Sequence, residues 1–481
     1  MGPKPWLPAL LAALLLTASA GWAEPPSPIE ADRNGSARPA APEAAAGEPR
    51  PTEPLITPAE PASKPPLSTG TLAGSSSPLV QLPKGWQLSD QLLGLPDWMQ
   101  LELTYTAEPM GNPLGGERHL AGWMGQTGLT LSLGPGLAQS SAQWREADHW
   151  QFNLNLNHYT GDPLYSLNIG ALFPLQQIDY PTGALLSEAS LSRSAGDGWL
   201  ALRAGIVPLN PSFITAPVFD LYVHSAFNDT LNIALNGLPI SPYGSLGGVL
   251  SVQPAPELSL RYGWFDLSST ARLAQWLGSP PPFPGIAQGS AQLLQLSWTP
   301  AALAPTPETA IQACRSPAGL VRRGRSCNQP LLVQNQLPGA FLNLGGFHTS
   351  ARSSGMYGSA TLRSGLPLGL DERVWVGGAW TGGDAGALSP SFVAGGLVVQ
   401  GVIPSRPLDL LVMAAGRAGL RTGPFTAWDS PYEGMLELGY QLRLNGNLAL
   451  QPTLQWILNP SAGPHPLPGI LAAGLQLSAS F

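Results

Sequence analysis

Three runs at the C-terminal end decide the fold: Leu436-Glu-Leu-Gly-Tyr-Gln-Leu-Arg-Leu444, Leu448-Ala-Leu-Gln-Pro-Thr-Leu-Gln-Trp-Ile-Leu458 and Leu471-Ala-Ala-Gly-Leu-Gln-Leu-Ser-Ala-Ser-Phe481. In the first, Leu436, Leu438, Tyr440, Leu442 and Leu444 alternate with Glu437, Gly439, Gln441 and Arg443. The second repeats the pattern through Leu450, Leu454 and Trp456, and the third through Leu475, Leu477 and Phe481. Successive side chains of a strand point to opposite faces, so a period of two gives each strand one apolar and one polar side. Asn445-Gly446-Asn447 joins the first two runs as a tight turn.

Moving outward, the same period returns at Leu129, Leu131 and Leu133, at Phe152, Leu154 and Leu156 interleaved with Asn153, Asn155 and Asn157, at Leu200, Leu202, Ala204 and Ile206, and at Leu258, Leu260, Tyr262 and Trp264. Gly, Pro, Asn and Asp clusters divide the region into about seventeen such segments of roughly 8–12 residues. That is the length a tilted strand needs to cross a hydrocarbon layer. Single-chain bacterial barrels have an even strand count, so the reading is an all-β transmembrane antiparallel barrel of about sixteen, or else eighteen, strands. Short turns such as Pro254-Ala255-Pro256 stand against long spans at 208–245, 266–290 and 300–338, which are expected as outer loops.

Composition agrees with this reading. Of 481 residues, 56 are Gly and 52 Pro, and only 11% are charged. After residue 23 no apolar stretch approaches the ~18 residues of a spanning helix, which excludes a helical bundle. Gly has no period of three and there are two Cys, which excludes collagen and a disulfide-rich mini-protein. Beyond residue 84 the chain carries 17 Arg, no Lys and 23 acidic residues, which is not a nucleic-acid-binding balance.

The chain divides into three parts. Residues 1–23 read as a secretory signal peptide, with Lys4, an apolar run from Leu7 to Ala18, and small residues at the cleavage region. Residues 24–84 hold 14 Pro and 10 Ala and no Phe, Trp or Tyr, so they read as a disordered linker that buries too little surface to offset ordering entropy. Residues 85–481 form the barrel.

Apolar positions must face lipid and polar ones a wet interior. Arg203, Arg261, Arg363, Arg443, Glu437 and Gln441 lie on the polar parity and are the pore-lining candidates. Trp98, Trp150, Trp199, Trp264, Trp298, Trp380 and Trp456 lie near strand ends, where aromatic girdles sit. The span from Pro208 to Gly247, with Phe213, Phe219, Tyr222, Phe227 and Tyr243, is too aromatic to leave exposed. It is expected to fold inward as a constriction, the competing reading being a loop packed on a neighbouring subunit. Cys314 and Cys327 enclose a segment with Arg315, Arg322, Arg323 and Arg325 and are expected to form a disulfide in an exported protein. The four Arg are read as an anion- or lipopolysaccharide-attracting outer loop or a merely solvated one.

Together these residues resemble the OprB-type carbohydrate-selective porin family, over essentially all of the chain after the linker. The resemblance is carried by Glu437-Leu-Gly-Tyr440 through Gln455-Trp456 to Asn459-Pro460, and by Asn112-Pro-Leu-Gly115-Gly116, Phe227-Asn228, Pro239-Ile-Ser-Pro242-Tyr243 and Gly263-Trp-Phe-Asp266. It implies an outer-membrane channel of about sixteen strands passing small hydrophilic solutes, sugars in the best-known members. Cyanobacterial relatives commonly place an S-layer-homology region before the barrel, where this chain has the Pro/Ala linker.

The expected partners are outer-membrane lipid and lipopolysaccharide, small sugars or inorganic ions as solutes, the assembly machinery that reads a C-terminal aromatic such as Phe481, and two further copies in a homotrimer. No cofactor, metal or catalytic residue is expected. The six His, at positions 119, 149, 158, 224, 348 and 465, form no His-Glu-x-x-His, and there is no Gly-x-Ser-x-Gly. Asp148-His149 is a weak dyad, because strand neighbours point to opposite faces. An outer-membrane hydrolase and a cell-wall tether acting through the linker are the competing classes.

Overall fold

The computed structural model describes residues 93–481 apart from 97, 135–148, 165, 196–198, 281–284, 286, 301–338, 351–352, 365–370, 384–386, 404, 407, 422–429, 446 and 464. The expected signal peptide, the linker and the Cys314–Cys327 pair lie outside the described residues.

Sixteen strands follow in chain order: β1 (Met99–Leu114), β2 (Ala121–Leu133), β3 (His149–Asp162), β4 (Gly183–Ala195), β5 (Leu200–Pro208), β6 (Gly244–Ala255), β7 (Leu258–Asp266), β8 (Ser290–Trp298), β9 (Ala340–Thr349), β10 (Ser353–Arg363), β11 (Asp371–Gly383), β12 (Ser391–Gln400), β13 (Leu410–Gly419), β14 (Tyr432–Arg443), β15 (Leu448–Leu458) and β16 (Ile470–Ser480). Each pairs antiparallel with its sequence neighbours, and β16 pairs with β1 to close the barrel. The eighteen-strand alternative is therefore excluded. Among the described residues two short α-helices lie in connections, α1 (Ser166–Ile169) and α2 (Leu267–Trp276). Among the described residues no helix is long and apolar enough to cross a membrane.

The period of two becomes an inside-out distribution of chemistry. Leu202, Leu294, Leu344 and Val393 are each more than half exposed on the outer surface, while Gln295 and Glu437 on the inner face are 2% and 3% exposed. Closure is required in lipid, because an open sheet edge would leave backbone donors and acceptors unpaired in hydrocarbon. Trp98, Trp150, Trp199 and Trp298 sit at one rim, and Trp264, Trp380 and Trp456 toward the other, all among the exposed large side chains. Trp123, at the start of β2, joins the second group.

The first rim is the short-turn rim. It carries the Pro256–Glu257 turn, the 444–447 turn, the start of β1 and the end of β16. The second carries the connections 163–182, 209–243 and 267–289. The span 300–338 does not leave from the expected outer-loop side. It and the 266–290 span flank the single strand β8, so in an antiparallel barrel they leave from opposite rims. β8 ends and β9 begins at the short-turn rim, which places the attachment of 300–338 on the rim where β16 ends rather than among the long outer loops.

Candidate functional site

Two connections from the long-loop rim enter the bore and are fastened to its wall by side chains of the inward parity. In residues 163–182, the backbone N–H groups of Leu172 and Phe173 donate to Glu433 of β14 at 3.0 and 3.2 Å. Ile178 donates to Glu108 of β1, and Gln455 of β15 donates to the Leu175 carbonyl at 2.9 Å. In residues 209–243, Val223 and His224 donate to the two carboxylate oxygens of Glu437 at 2.8 and 2.9 Å. Ile214 donates to Gln295 of β8, Asn343 of β9 donates to the carbonyls of Ile214 and Thr215, and Gln451 of β15 donates to Leu221. A segment that leaves its own sheet needs partners for its backbone, and the wall's carboxylates and amides supply them.

Aromatic packing holds the second segment equally firmly. Phe213, Phe219, Tyr222, Phe227 and Tyr243 are all at most 2% exposed. Trp375 of β11 lies between Phe219, Tyr222 and Phe227, with ring centroids at 5.1, 5.6 and 6.4 Å, and its indole N–H donates to the Tyr222 hydroxyl at 2.7 Å. Phe213 packs edge-on against Phe265. Two wall glycines make these approaches possible. A Cβ on Gly263 of β7 would lie 2.6 Å from the Phe213 ring, and one on Gly416 of β13 would lie 2.8 Å from that of Phe227. The aromatics expected to fold inward therefore pack within the barrel, against its inner wall.

Burial sets the protonation of this segment. His224 is fully buried beside Phe173 and Phe227, and desolvation of its charged form pushes its pKa down to about 3. Its Nδ1 accepts from the Ala226 N–H, so the remaining proton belongs on Nε2, which has no partner. Burial pushes the Tyr222 phenol up. Asp179 is raised to about 6, again by burial, against a hydrogen bond from the Ser166 backbone.

The pore-lining candidates divide by what they touch. Arg203 is 1% exposed, donates to Ser212 Oγ at 2.9 Å and lies 3.7 Å from Glu188. Arg261 donates to the carbonyl of the same Ser212 at 2.9 Å, so the two arginines meet on one residue of the inward segment. Glu437 holds Val223 and His224 as described. Gln441 donates to Gln451, and Arg443 reaches Gln441 at 3.4 Å, while the Arg443 backbone donates to Asp409. Arg363 is exposed near the short-turn rim, opposite Arg373 in the β10–β11 register. Phe481 completes the seam, exchanging backbone hydrogen bonds with Leu103 at 2.8 and 3.1 Å. Glu108, Glu433, Gln295, Asn343 and Gln455 were not singled out from sequence, although each sits on the polar parity. Among the described residues no cluster of three or more His, Cys, Asp or Glu could hold a metal ion.

A closed sixteen-strand barrel that is apolar outside and polar inside, with segments folded into its bore, is the architecture of an outer-membrane diffusion channel. Residues 141–481 match the family described as carbohydrate-selective porin, OprB family, and the chain belongs to that family. It is accordingly an outer-membrane porin for small solutes. Among solved structures it is similar to the high-pH structure of Pseudomonas putida OprB, with a TM-score of 0.61 and 16% identity, over 80% of this chain and 94% of that one. It is also similar to the outer membrane channel DcaP of Acinetobacter baumannii (TM-score 0.46, 9% identity, 80% and 97% covered) and to Pseudomonas aeruginosa OccD3 (0.42, 11%, 79% and 91%). No curated protein matches the chain.

Proposed function

We propose that the barrel passes small neutral sugars by diffusion, and that residues 163–182 and 209–243 set the width of the passage. The observation that carries this reading is the fastening of both segments to lumen carboxylates and amides, Glu433 and Glu437 foremost. A porin offers a hydrated path of lower energy than the bilayer, and its selectivity follows from width and from the donors and acceptors at the wall. The short-turn rim faces the periplasm and the long-loop rim the exterior. The chain is exported through a cleaved signal peptide, inserted by assembly machinery that reads the strand ending in Phe481, and seated among outer-membrane lipid and lipopolysaccharide as a homotrimer. It performs no covalent chemistry.

Passage of inorganic ions is the second reading, and the exposure of Arg363 in the lumen parity favours it. A planar-bilayer measurement separates the two. Potassium chloride current that falls on addition of glucose supports the sugar reading. Current indifferent to glucose, with no swelling of glucose-loaded liposomes, leaves the ion reading. The absence of any channel overturns both.

A further inference from the structure

The inner wall is not uniform. The inward segments are tied to β5, β7, β8, β9, β14 and β15 and to the long-loop half of β1, whereas the short-turn halves of β2 and β3 present a field of uncharged amides and hydroxyls, flanked by Glu102 of β1 opposite Thr130 and by Glu188 of β4 opposite Asn155. These side chains are linked in one direction. Gln126 donates to Asn157 at 2.8 Å, Asn157 to Asn155 at 2.7 Å, and Asn155 to the Thr130 hydroxyl at 2.7 Å. Beside them Asn153 accepts from Ser132 at 3.0 Å and from Gln151 at 2.6 Å. The strand register places Thr130 opposite Asn155 and Ser132 opposite Asn153, so the groups form adjoining rungs across β2 and β3.

We infer that this face is a binding track for neutral polyhydroxyl solutes, an inference that rests on the porin reading and names the surface the solute follows. Three observations carry it. First, Gln126, Thr130, Ser132 and Asn155 remain partly exposed although they point inward, so the inward segments leave this wall open to a solute. Second, the relay fixes each amide by its neighbour, and it leaves the Thr130 hydroxyl, already accepting, with a proton to give. The Nδ2 of Asn153, a residue 6% exposed, has no partner. A wall of pre-set donors and acceptors meets a sugar's hydroxyls without reorganising.

Third, the spacing suits stepwise transfer. Inward positions recur every ~6.6 Å along a strand and ~4.8 Å between strands, comparable to a pyranose ring, so a solute can exchange one rung for the next. Weak, repeated, uncharged contacts allow entry and exit alike. Eight strands away on the closed barrel, β10 and β11 carry the guanidinium groups of Arg363 and Arg373, so the uncharged rungs of β2 and β3 lie across the bore from them.

The test uses the full chain, purified and reconstituted in planar bilayers, with glucose and the anion gluconate as probes. In the double variant Thr130→Val, Asn155→Ala, the glucose concentration that half-blocks the current should rise about tenfold, the effect of losing one or two hydrogen bonds. The gluconate value should move much less. Equal shifts for both probes, or no shift for glucose in a variant that still migrates as a folded barrel in heat-modifiability gels, would overturn the track. If the double variant does not assemble, Ser132→Ala deletes a single hydroxyl and should raise the half-blocking glucose concentration about threefold. No change there overturns the track too. A wild-type channel that conducts but is never blocked by glucose removes the track and leaves a porin. A wild-type protein that forms no channel removes the porin reading as well.

Discussion

At the scale of single residues, His224 makes the inward segment sensitive to acid. A base whose pKa in place is about 3, against about 6.5 for an exposed histidine, favours the folded segment only while it stays neutral. That contribution is complete above pH 6.5 and is lost progressively as pH falls toward 3, reaching about 3 kcal/mol by pH 4. Asp179 acts in the opposite sense. Its raised pKa of about 6 means that the docked segment binds the proton more tightly than a free chain, so docking of 163–182 strengthens as pH falls from 6 toward 4. Phenylalanine at 224 keeps the ring contacts with Phe173 and Phe227 and removes the titration. In bilayer recordings the ratio of conductance at pH 4 to that at pH 7 should fall in His224→Phe relative to wild type. The variant also separates the histidine's share from that of Glu437, whose carboxylate accepts the backbone N–H of residue 224. An unchanged ratio would show that the buried imidazole does not govern the segment.

At the scale of elements, the segment 209–243 is held by a fit between its aromatic rings and missing side chains on the wall. Gly416→Val puts methyl groups where the Phe227 ring lies, and overpacking of this kind costs about 1–3 kcal/mol. β13 keeps its pairing with β12 and β14, so the strain is relieved by undocking the segment. Single-channel conductance should rise and fluctuate more, and a chain shortened within 213–240 should raise it steadily. A shortened chain with wild-type conductance would show that the segment does not limit the passage.

These contacts also mark how far the sequence could be read. Strand faces were legible because lipid and water impose a period of two on every strand, and the inward course of 209–243 was legible from five aromatics too costly to expose. Residues 163–182 carry three aromatics, Tyr165, Phe173 and Tyr180, against five in 209–243, and gave no such signal, although they are fastened just as firmly. The rim from which 300–338 departs could not be read from length. It depends on the parity of the strand count, and one surplus strand reverses every later loop. Glu437 and Arg203 owe their partners to the inward segment 209–243, whose contacts no local pattern encodes.

At the scale of the whole molecule, two conditions hold the barrel together: a closed seam and a strict division of faces. The seam ends at Phe481, whose N–H and carbonyl both pair with Leu103, and removing that residue deletes two hydrogen bonds worth about 0.5–1.5 kcal/mol each. Folding into liposomes, followed by heat-modifiability, should show a lower folded yield for the truncated chain. The division of faces gives a sharper test, because adjacent residues on β8 have opposite surroundings. Leu294 stands at mid-strand, half exposed to the hydrocarbon, and Gln295 beside it points inward and accepts from the Ile214 N–H. Leu294→Arg should lower barrel stability in urea titrations by about 2–4 kcal/mol, the cost of a cation at the bilayer midplane. Gln295→Leu leaves the lipid face untouched and orphans the Ile214 donor, so it should act on the inward segment. The barrel's unfolding midpoint should change little while conductance rises. A reversed outcome, with the leucine variant unfolding the barrel and the arginine variant altering only current, would mean that the two faces had been exchanged.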